Sequence, residues 1–459
     1  MPLNTLREII ENNQDAYIEQ LFTLLRQKSI STQNDGITEC AQLLKEMMGE
    51  LGIAARIMET DGHPVVFGEM MRDENFFTLL IYGHYDVQPP EPIDEWLSPP
   101  FEPTIRNGKI FCRGAGDNKG QLMAQLLGIK TYIDCFGDLP INIKFIFEGE
   151  EENGSPHLAS FVKKHRELLK ADLVYTADGS SHNSGAPLIL LGARGSLDLE
   201  LEAKEAEWDN HSGNTGNIVP NPAWKLINLL KTMCNDEGQV LIEGFYDHIL
   251  PPSAREKELI QKLPFDAEDI GQKIGYPHLQ MDGETYYHKL TMEPTFNING
   301  LQSGYTGEGM KTIIPATATV KMDVRLVIDQ DPMDIFNKIC QHVQKHDPDI
   351  EVKFISAMEP SRTSADLEVV EIVTKAVRLA YEQEPLIQPS LGSSLPDYVW
   401  TKILEVPSII MPYANFDQRN HSPNENIAID YFLNGIHCTC HVIHALGEYA
   451  ESLRKGVSK

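Results

Sequence analysis

The chain has too few basic residues and too few long apolar runs for several classes of protein. Its 459 residues include 39 Lys and Arg against 67 Asp and Glu, for a net charge of −28. That field repels phosphate backbones and anionic membranes, so we expect neither nucleic acid nor a membrane as partner. No apolar run approaches the roughly 20 residues that span a bilayer, and no signal peptide is visible at the N-terminus.

Cysteine is also scarce. The seven cysteines, an odd number spread from Cys40 to Cys440, do not form the pattern of a disulfide framework. We therefore expect a reduced, cytoplasmic protein. A hydrophobic fraction of 41% and a charged fraction of 23% are typical of a folded chain, and its length predicts two or more domains.

Two styles of hydrophobic pattern divide the chain. Residues 76–82, 141–147 and 173–176 are almost continuously apolar and alternate with helical stripes, which predicts a mixed, mostly parallel α/β sheet with helices on both faces. Residues 197–201 and 318–326 instead alternate apolar and polar side chains, which predicts an antiparallel sheet in an α+β module. The first style returns after residue 362, so we predict a module at 195–362 inserted between 1–194 and 363–459, with an insertion of its own at 240–295.

Histidines and carboxylates follow the predicted strands. They are His84 and Asp86, Glu151 and Glu152, Asp178, and, after a loop, His421. Ligands of open α/β sheets bind beyond the carboxyl ends of the strands. Each residue alone is better explained as structural, but together they form an oxygen and nitrogen donor set that suits Zn²⁺ or Mn²⁺.

The acidic run that includes Glu148, Glu150, Glu151 and Glu152 has two interpretations. Carboxylates this close repel one another, so they must bind protons, face water or face cations. A solvated loop is the simpler explanation for such a run taken by itself. For Glu150, to which no role is assigned, we expect a solvated carboxylate.

Five motifs together resemble the M20 family of di-metal peptidases and deacylases, in the family's order and over nearly the whole chain. They are Gly83-His84-Tyr85-Asp86-Val87, Gly116-Asp117-Asn118-Lys119-Gly120, Glu151-Glu152-Asn153-Gly154-Ser155, Asp178, and His421-Ser422-Pro423-Asn424-Glu425. The resemblance implies that 1–194 and 363–459 form a catalytic domain and that 195–362 is a lid and dimerisation domain.

The resemblance also implies a ligand set for two divalent metal ions per subunit. His84 and Asp178 would hold one ion, Glu152 and His421 the other, and Asp117 would bridge them. Zn²⁺ is the expected metal, with Mn²⁺ and Co²⁺ as alternatives. A hydroxide shared by the two ions would attack the amide.

Further roles follow from the resemblance alone. Glu151 would be the general base, and Asp86 would orient the His84 ring. His211, in the lid, would enter the active site of a partner subunit in a homodimer, although a structural loop histidine is the alternative.

Three residues resemble those that bind the substrate's carboxylate in the dipeptidase branch: Thr312, Arg325 and Ser394. Arg325 lies on an alternating strand, where a solvated arginine is the alternative. Ser394 belongs to Gly392-Ser393-Ser394-Leu395-Pro396, in which Ser393 stands where the family has a second glycine.

The expected activity is hydrolysis of the amide bond of dipeptides or small peptides. The segments Val87-Gln88-Pro89 and Pro99-Pro100-Phe101 resemble the dipeptidase form of the family's motifs. An N-acyl-amino-acid deacylase is the alternative, because the chemistry is the same and only the pocket differs. A non-catalytic dimeric binding protein is a further alternative, which loss of the base or of a ligand would have indicated.

Overall fold

The computed structural model describes residues 3–457, and a large sheet lies at its centre. Within that range the sheet has eight strands, in the order Ala54–Met58, Val65–Met70, Asn142–Glu148, Thr78–His84, Leu173–Thr176, Ser408–Ile410, Leu188–Leu190 and Leu386–Gln388. Pairing is parallel in the middle, from Asn142–Glu148 to Ser408–Ile410, and antiparallel at the Ala54–Met58 edge. The predicted mixed, mostly parallel sheet is confirmed.

Helices cover both faces of this sheet, as the continuous apolar runs predict. In the strand Thr78–His84, Leu79 and Ile81 pack into one core while Leu80 and Tyr82 pack into another. The first core contains the helices Leu6–Asn12, Gln14–Arg26, Ile37–Glu50, Lys119–Phe136, Glu368–Tyr381 and Ile429–Val457. The second contains the helix Leu158–Lys164 and the π-helix Val399–Leu404.

A second, antiparallel sheet has its own core. In the described part of the chain its four strands are, in order, Thr295–Ser303, Thr317–Leu326, Gly195–Lys204 and Glu351–Met358. The helices Pro222–Met233 and Pro332–His346 pack on one face of it. Leu197, Leu199 and Leu201 are buried against them while the intervening polar side chains are not, so the predicted alternation is confirmed.

The predicted insertion at 240–295 is largely helical. It carries Ala254–Gln261, Ala267–Lys273 and Gly283–Met292, and the first and last of these helices contribute to a small core against which Leu386 of the large sheet packs. Each helix begins at a side-chain cap: Ser253, Asp266 and Asp282 accept hydrogen bonds from backbone N–H groups of the first turn. The pairing of Ser253 with Glu256 is a capping box, a signal that is present in the sequence.

Shorter elements complete the described chain. A three-stranded sheet consists of Asn426–Ala428, Lys109–Phe111 and Thr104–Arg106, and a two-stranded ribbon pairs Asn210–His211 with Ile313–Ile314. The remaining helical turns are Leu3–Thr5, Ser31–Gln33, Ile93–Glu95, Glu151–Asn153 and Ser212–Thr215. All seven cysteines are free. No helix among residues 3–457 has the length and apolar character that crossing a membrane requires.

The order of the strands bears on the predicted domains. The chain leaves the large sheet after Leu190, forms the four-stranded sheet, and returns to the large sheet at Leu386. This connectivity is that of an inserted module. The boundaries at 194/195 and 362/363 stay predictions.

Candidate metal centre

Two groups of ligand atoms meet at the edge of the large sheet. One consists of His84, Asp117 and Asp178, the other of Asp117, Glu152 and His421, and within each group the ligand atoms lie within 4.8 Å of one another. Asp117 belongs to both: its Oδ1 lies 3.2 Å from His84 Nε2 and its Oδ2 lies 3.2 Å from His421 Nε2. These are the five predicted ligands, in the predicted grouping.

The sheet explains why these residues meet. His84 is the last residue of its strand and pairs in register with Glu148, the last residue of the neighbouring parallel strand. Asp178 follows the strand on the other side by two residues. Carboxyl ends of parallel strands lie at one edge, so the side chains that follow them converge. Glu152 reaches the same edge from the turn Glu151–Asn153.

Asp86 connects the two halves of the cluster. Its carboxylate lies 3.3 Å from His84 Nδ1 and accepts hydrogen bonds from the backbone N–H groups of Glu151 at 3.2 Å and Glu152 at 3.1 Å. The side chain is fully buried. Asp86 therefore fixes the orientation of the His84 ring and the start of the Glu151–Asn153 turn at once.

Glu425, for which we predicted no role, holds the segment that carries Asp117. Its buried carboxylate accepts from Arg113 Nη1 at 2.7 Å and from the backbone N–H groups of Gly114, Gly116 and Asp117 at 3.1, 2.9 and 3.0 Å. The partners lie about 310 residues apart along the chain, so no local pattern indicates them. The motif beginning at His421 thus contributes both a candidate ligand and the clamp on another.

Glu152 has a second fixed contact. Gln88 Nε2 donates to its Oε2 at 3.0 Å and to its main-chain oxygen at 3.1 Å, while His421 Nε2 lies 3.0 Å from the same Oε2. The Glu152 side chain is only 2% exposed, whereas His421 is 54% exposed. The solvent-facing side of the centre is therefore the His421 side.

The charges of the cluster favour a cation. Burial raises the pKa of Asp178 to about 7, and the nearby Asp117 carboxylate adds to the rise. Hydrogen bonds to Asp117 and Glu152 raise the pKa of His421 to about 10. The carboxylates oppose one another's ionisation, and a ring beside them gains a positive charge. Both effects indicate a site with an excess of negative charge. Two divalent cations would supply it, so this donor set fits the predicted ions.

Glu151 is placed next to the same cluster. Its side chain is half-buried, and among residues 3–457 no hydrogen-bond partner for its carboxylate is found. Burial raises the pKa of Glu151 well above its ordinary value, and the neighbouring carboxylates of Asp178 and Glu152 add to that rise. A carboxyl group with an elevated pKa, close enough to interact with charges of both ligand groups, is suited to proton transfer.

The other acids of this run are not solvated. Glu148 is buried and accepts from Tyr82 Oη at 2.6 Å and Ser155 Oγ at 2.9 Å, so it closes the turn that carries the candidate base. The expectation of a solvated Glu150 is wrong: it is 7% exposed, and its Oε2 lies 2.8 Å from His157 Nδ1. A partner seven residues away allows the carboxylate to be buried.

Arg325 and Ser394 form a second group of predicted residues. Arg325 Nη1 donates to Ser394 Oγ at 2.7 Å, which joins the four-stranded sheet to a loop beside the large sheet. The Arg325 guanidinium also lies 3.6 Å from Asp323. The structure therefore places a guanidinium and a hydroxyl together, and both groups can donate hydrogen bonds to a carboxylate.

His211 and Thr312 form a third group, on the exposed two-stranded ribbon. The main-chain oxygen of Thr312 accepts from the Ser212 N–H at 2.9 Å. His211 Nδ1 accepts from the Gly213 N–H at 3.0 Å, so a neutral His211 ring carries its proton on Nε2 and presents a donor to solvent. Among residues 3–457, neither side chain makes a hydrogen bond or ion pair with the metal cluster.

Comparisons with known proteins agree with this geometry. A model of peptidase family M20/M25/M40 matches residues 80–445, which include all five candidate ligands. The Cys-Gly metallodipeptidase dug1 of Schizosaccharomyces pombe is 27% identical, over 97% of this chain and 98% of that protein. The Beta-Ala-His dipeptidase of Rattus norvegicus is 26% identical, over 93% of this chain and 92% of its own.

Solved structures share the whole architecture. The M20 family metallo-carboxypeptidase Sso-CP2 from Sulfolobus solfataricus is 36% identical with a TM-score of 0.87, over 94% of this chain and 99% of that one. The structure of Dug1p from Saccharomyces cerevisiae, 23% identical with a TM-score of 0.82 over 97% and 99% of the two chains, shares the fold.

Proposed function

We propose that this chain, which belongs to peptidase family M20/M25/M40 and is a metal-dependent peptidase, hydrolyses the amide bond of dipeptides. The observation that carries the proposal is the pair of three-ligand groups that share Asp117, with the Glu151 carboxylate beside both. The dipeptidases named above cover nearly the whole chain.

Two divalent ions fit the residues present. His84 and Asp178 would hold one and Glu152 and His421 the other, with Asp117 shared. When bound, such ions act as Lewis acids that polarise a carbonyl and make water more acidic. Imidazole and carboxylate donors suit Zn²⁺, Mn²⁺ and Co²⁺, and we propose Zn²⁺ as the resident ion.

Glu151 moves the proton in the proposed reaction. Its carboxylate accepts a proton from the attacking water and then donates it to the departing amine nitrogen. The hydrogen bonds from the Glu151 and Glu152 N–H groups to Asp86 fix the start of the turn and so keep the base and the neighbouring ligand in their separate places. Residue Asp86 thus acts through both His84 and Glu151.

The substrate's free carboxylate binds at the Arg325 and Ser394 pair. A guanidinium and a hydroxyl 2.7 Å apart can share one carboxylate through charge-assisted hydrogen bonds. In this proposal Thr312 and His211 belong to the two-stranded ribbon of the lid. His211 donates a hydrogen bond from its Nε2–H to the oxyanion that develops on the substrate in the active site of a partner subunit. That role requires a homodimer formed through the lid.

Two other activities use the same centre. A carboxypeptidase, the activity in the name of the Sulfolobus solfataricus protein, also recognises a free carboxylate but accepts longer peptides. An N-acyl-amino-acid deacylase needs an acyl group in place of the N-terminal residue.

A substrate panel separates the three activities. The metal-loaded protein is incubated with matched dipeptides, with tetrapeptides of the same C-terminal residue, and with N-acetyl amino acids, and the released amino acid is quantified. Release mainly from dipeptides is expected. Release mainly from tetrapeptides would establish the carboxypeptidase, and release from acyl amino acids alone would rule out both peptidase activities. The Asp117→Asn variant is the control for metal-dependent turnover.

A further inference from the structure

Arg194 is a buried guanidinium without a carboxylate partner. It is 7% exposed, and among residues 3–457 it forms no ion pair. Its Nε donates to the main-chain oxygen of Gly392 at 2.6 Å, and its Nη1 donates to that of Glu293 at 3.1 Å. A buried charge held only by neutral carbonyls is costly, so a function for it is expected.

The two carbonyls belong to different parts of the molecule. Gly392 begins the loop that presents Ser394, and Glu293 directly follows the last helix of the insertion, Gly283–Met292. The Arg194 N–H also donates to Leu391 at 3.2 Å. The planar guanidinium therefore links the Ser394 loop to the end of the insertion. An ammonium group could not do the same, because it lacks the rigid fork of donors that a guanidinium has.

Gly392 is packed against the insertion as well. A Cβ added there would lie 2.8 Å from Leu290 Cδ1 and 3.3 Å from the main-chain oxygen of Leu290. A side chain at this position would require the Leu290 side chain or the loop to shift. The loop thus has two independent supports, the Arg194 hydrogen bonds and the contact with Leu290.

Arg194 also brings positive charge to the carboxylate-binding pair. Burial and, to a lesser extent, the nearby Arg325 guanidinium lower the pKa of Arg194 to about 10. The two arginines share Asp323 as the nearby acid, 3.6 Å from Arg325. In a chain of net charge −28, this is a local excess of positive charge.

We propose that Arg194 is a positioning and specificity-determining residue for substrates with a free C-terminal carboxylate, and this rests on the proposed function. It holds the Gly392–Ser394 segment against the insertion so that the Ser394 hydroxyl meets Arg325, and its charge adds to the attraction for the carboxylate. The insertion serves, through Glu293 and Leu290, as the support of this half of the substrate site.

The test compares a dipeptide with the same dipeptide carrying a C-terminal amide. Arg194→Gln should lower the preference for the acid over the amide by about tenfold, because loss of one hydrogen bond to a charged group weakens binding by about that factor. The preference is measured as the ratio of the two kcat/KM values. The loss should lie in KM, with kcat and metal content unchanged. Arg194→Lys should lose most of the preference too, since it keeps the charge but not the fork.

Two further variants protect the test against misfolding. Gly392→Ala, which leaves Arg194 in place, should reduce the same preference because its Cβ disturbs the contact between the loop and Leu290. Arg255→Gln is the control: Arg255 pairs with Glu258 on the surface of the insertion at 3.3 Å and is 43% exposed, so its acid-to-amide ratio should equal that of the wild type. A double-mutant cycle of Arg194→Gln with Ser394→Ala should be non-additive.

Binding provides the readout that does not depend on turnover. Calorimetric titration of metal-loaded Glu151→Gln protein, with and without Arg194→Gln, should show the same loss of acid-over-amide preference in Kd. Equal losses for acid and amide, an additive cycle, or an Arg255→Gln ratio as low as that of Arg194→Gln would overturn the proposal. A wild-type protein that hydrolyses no dipeptide would instead refute the proposed function, and the Kd ratio would still decide the role of Arg194.

Discussion

Replacing Glu425 by glutamine should destabilise the protein and weaken metal binding, although Glu425 is not a candidate ligand. One carboxylate oxygen accepts from Arg113 and Gly114, and the other accepts from Gly116 and Asp117. Glutamine keeps one acceptor and points an NH₂ group at the other pair of donors. Whichever way the amide turns, two buried donors lose their acceptor.

The magnitude follows from those unmade hydrogen bonds. Burial raises the pKa of Glu425 even beside Arg113, so the ion pair itself contributes little net stability. Each buried donor left without a partner costs about 1–3 kcal/mol, and an unpaired buried arginine lies at the upper end. The variant should therefore lose about 3–5 kcal/mol. Because Asp117 belongs to both ligand groups, its displacement should reduce occupancy at both.

Thermal unfolding and metal content measure the two effects. Glu425→Gln should unfold at a lower temperature than the wild type and retain less of both ions after dialysis against a weak chelator. Asp417→Asn is the matched control, because Asp417 pairs with Lys109 in the same segment but is 71% exposed, and such pairs contribute little. An unchanged Tm and two retained ions in Glu425→Gln would refute the assigned clamp.

The other predictions concern the base, the lid, the metals and a remote histidine. Glu151→Gln should retain both ions but lose about 10²–10⁴-fold in kcat; near-normal turnover would exclude it as base. If His211 acts across a dimer, mixing His211→Ala with Glu151→Gln protein should restore some activity, and none after verified subunit exchange would contradict that role. Chelation should abolish activity and lower Tm, because the clustered carboxylates lose their counterions, and Zn²⁺, Mn²⁺ or Co²⁺ should restore both to different extents. Burial lowers the pKa of His441 to about 4, so stability should fall by up to about 3 kcal/mol as the pH drops from 6.5 towards 4, where only the unfolded chain binds this proton. His441→Gln should flatten the dependence of Tm on pH.

Several features of the fold were readable in the sequence because burial leaves a local trace. The strand predicted at 76–82 extends instead from Thr78 to His84. The apolar run indicates which residues are buried, but the backbone hydrogen bonds that define the strand continue to the pair His84 and Glu148. The alternating pattern at 197–201 correctly predicted that the polar side chains of this strand lie on the less buried face of the second sheet. The helices of 254–292 were missed, although the Ser253 and Glu256 capping box indicates one of them.

The candidate ligands were predictable for a different reason. His84 and Asp178 follow buried parallel strands, and that topology brings their side chains to one edge. The structure also places Arg325 on Ser394 without any local signal for that contact. Roles for Thr312 and His211 come from resemblance alone and remain predictions.

By itself the sequence determined the fold class, because hydrophobic periodicity acts locally. The same periodicity predicts the inserted module, and the resemblance of the five motifs to a known family predicts the donors for two metal ions. Only the tertiary structure decided how those donors are held. Asp86 links His84 to the Glu151–Asn153 turn, and Glu425 holds the segment of Asp117. His157 Nδ1 lies 2.8 Å from the buried Glu150 carboxylate. The partners of Asp86 and Glu425 come from segments that lie far apart along the chain, whereas His157 meets Glu150 across a local turn. The sequence alone does not show which carboxylates are buried or which groups donate to them.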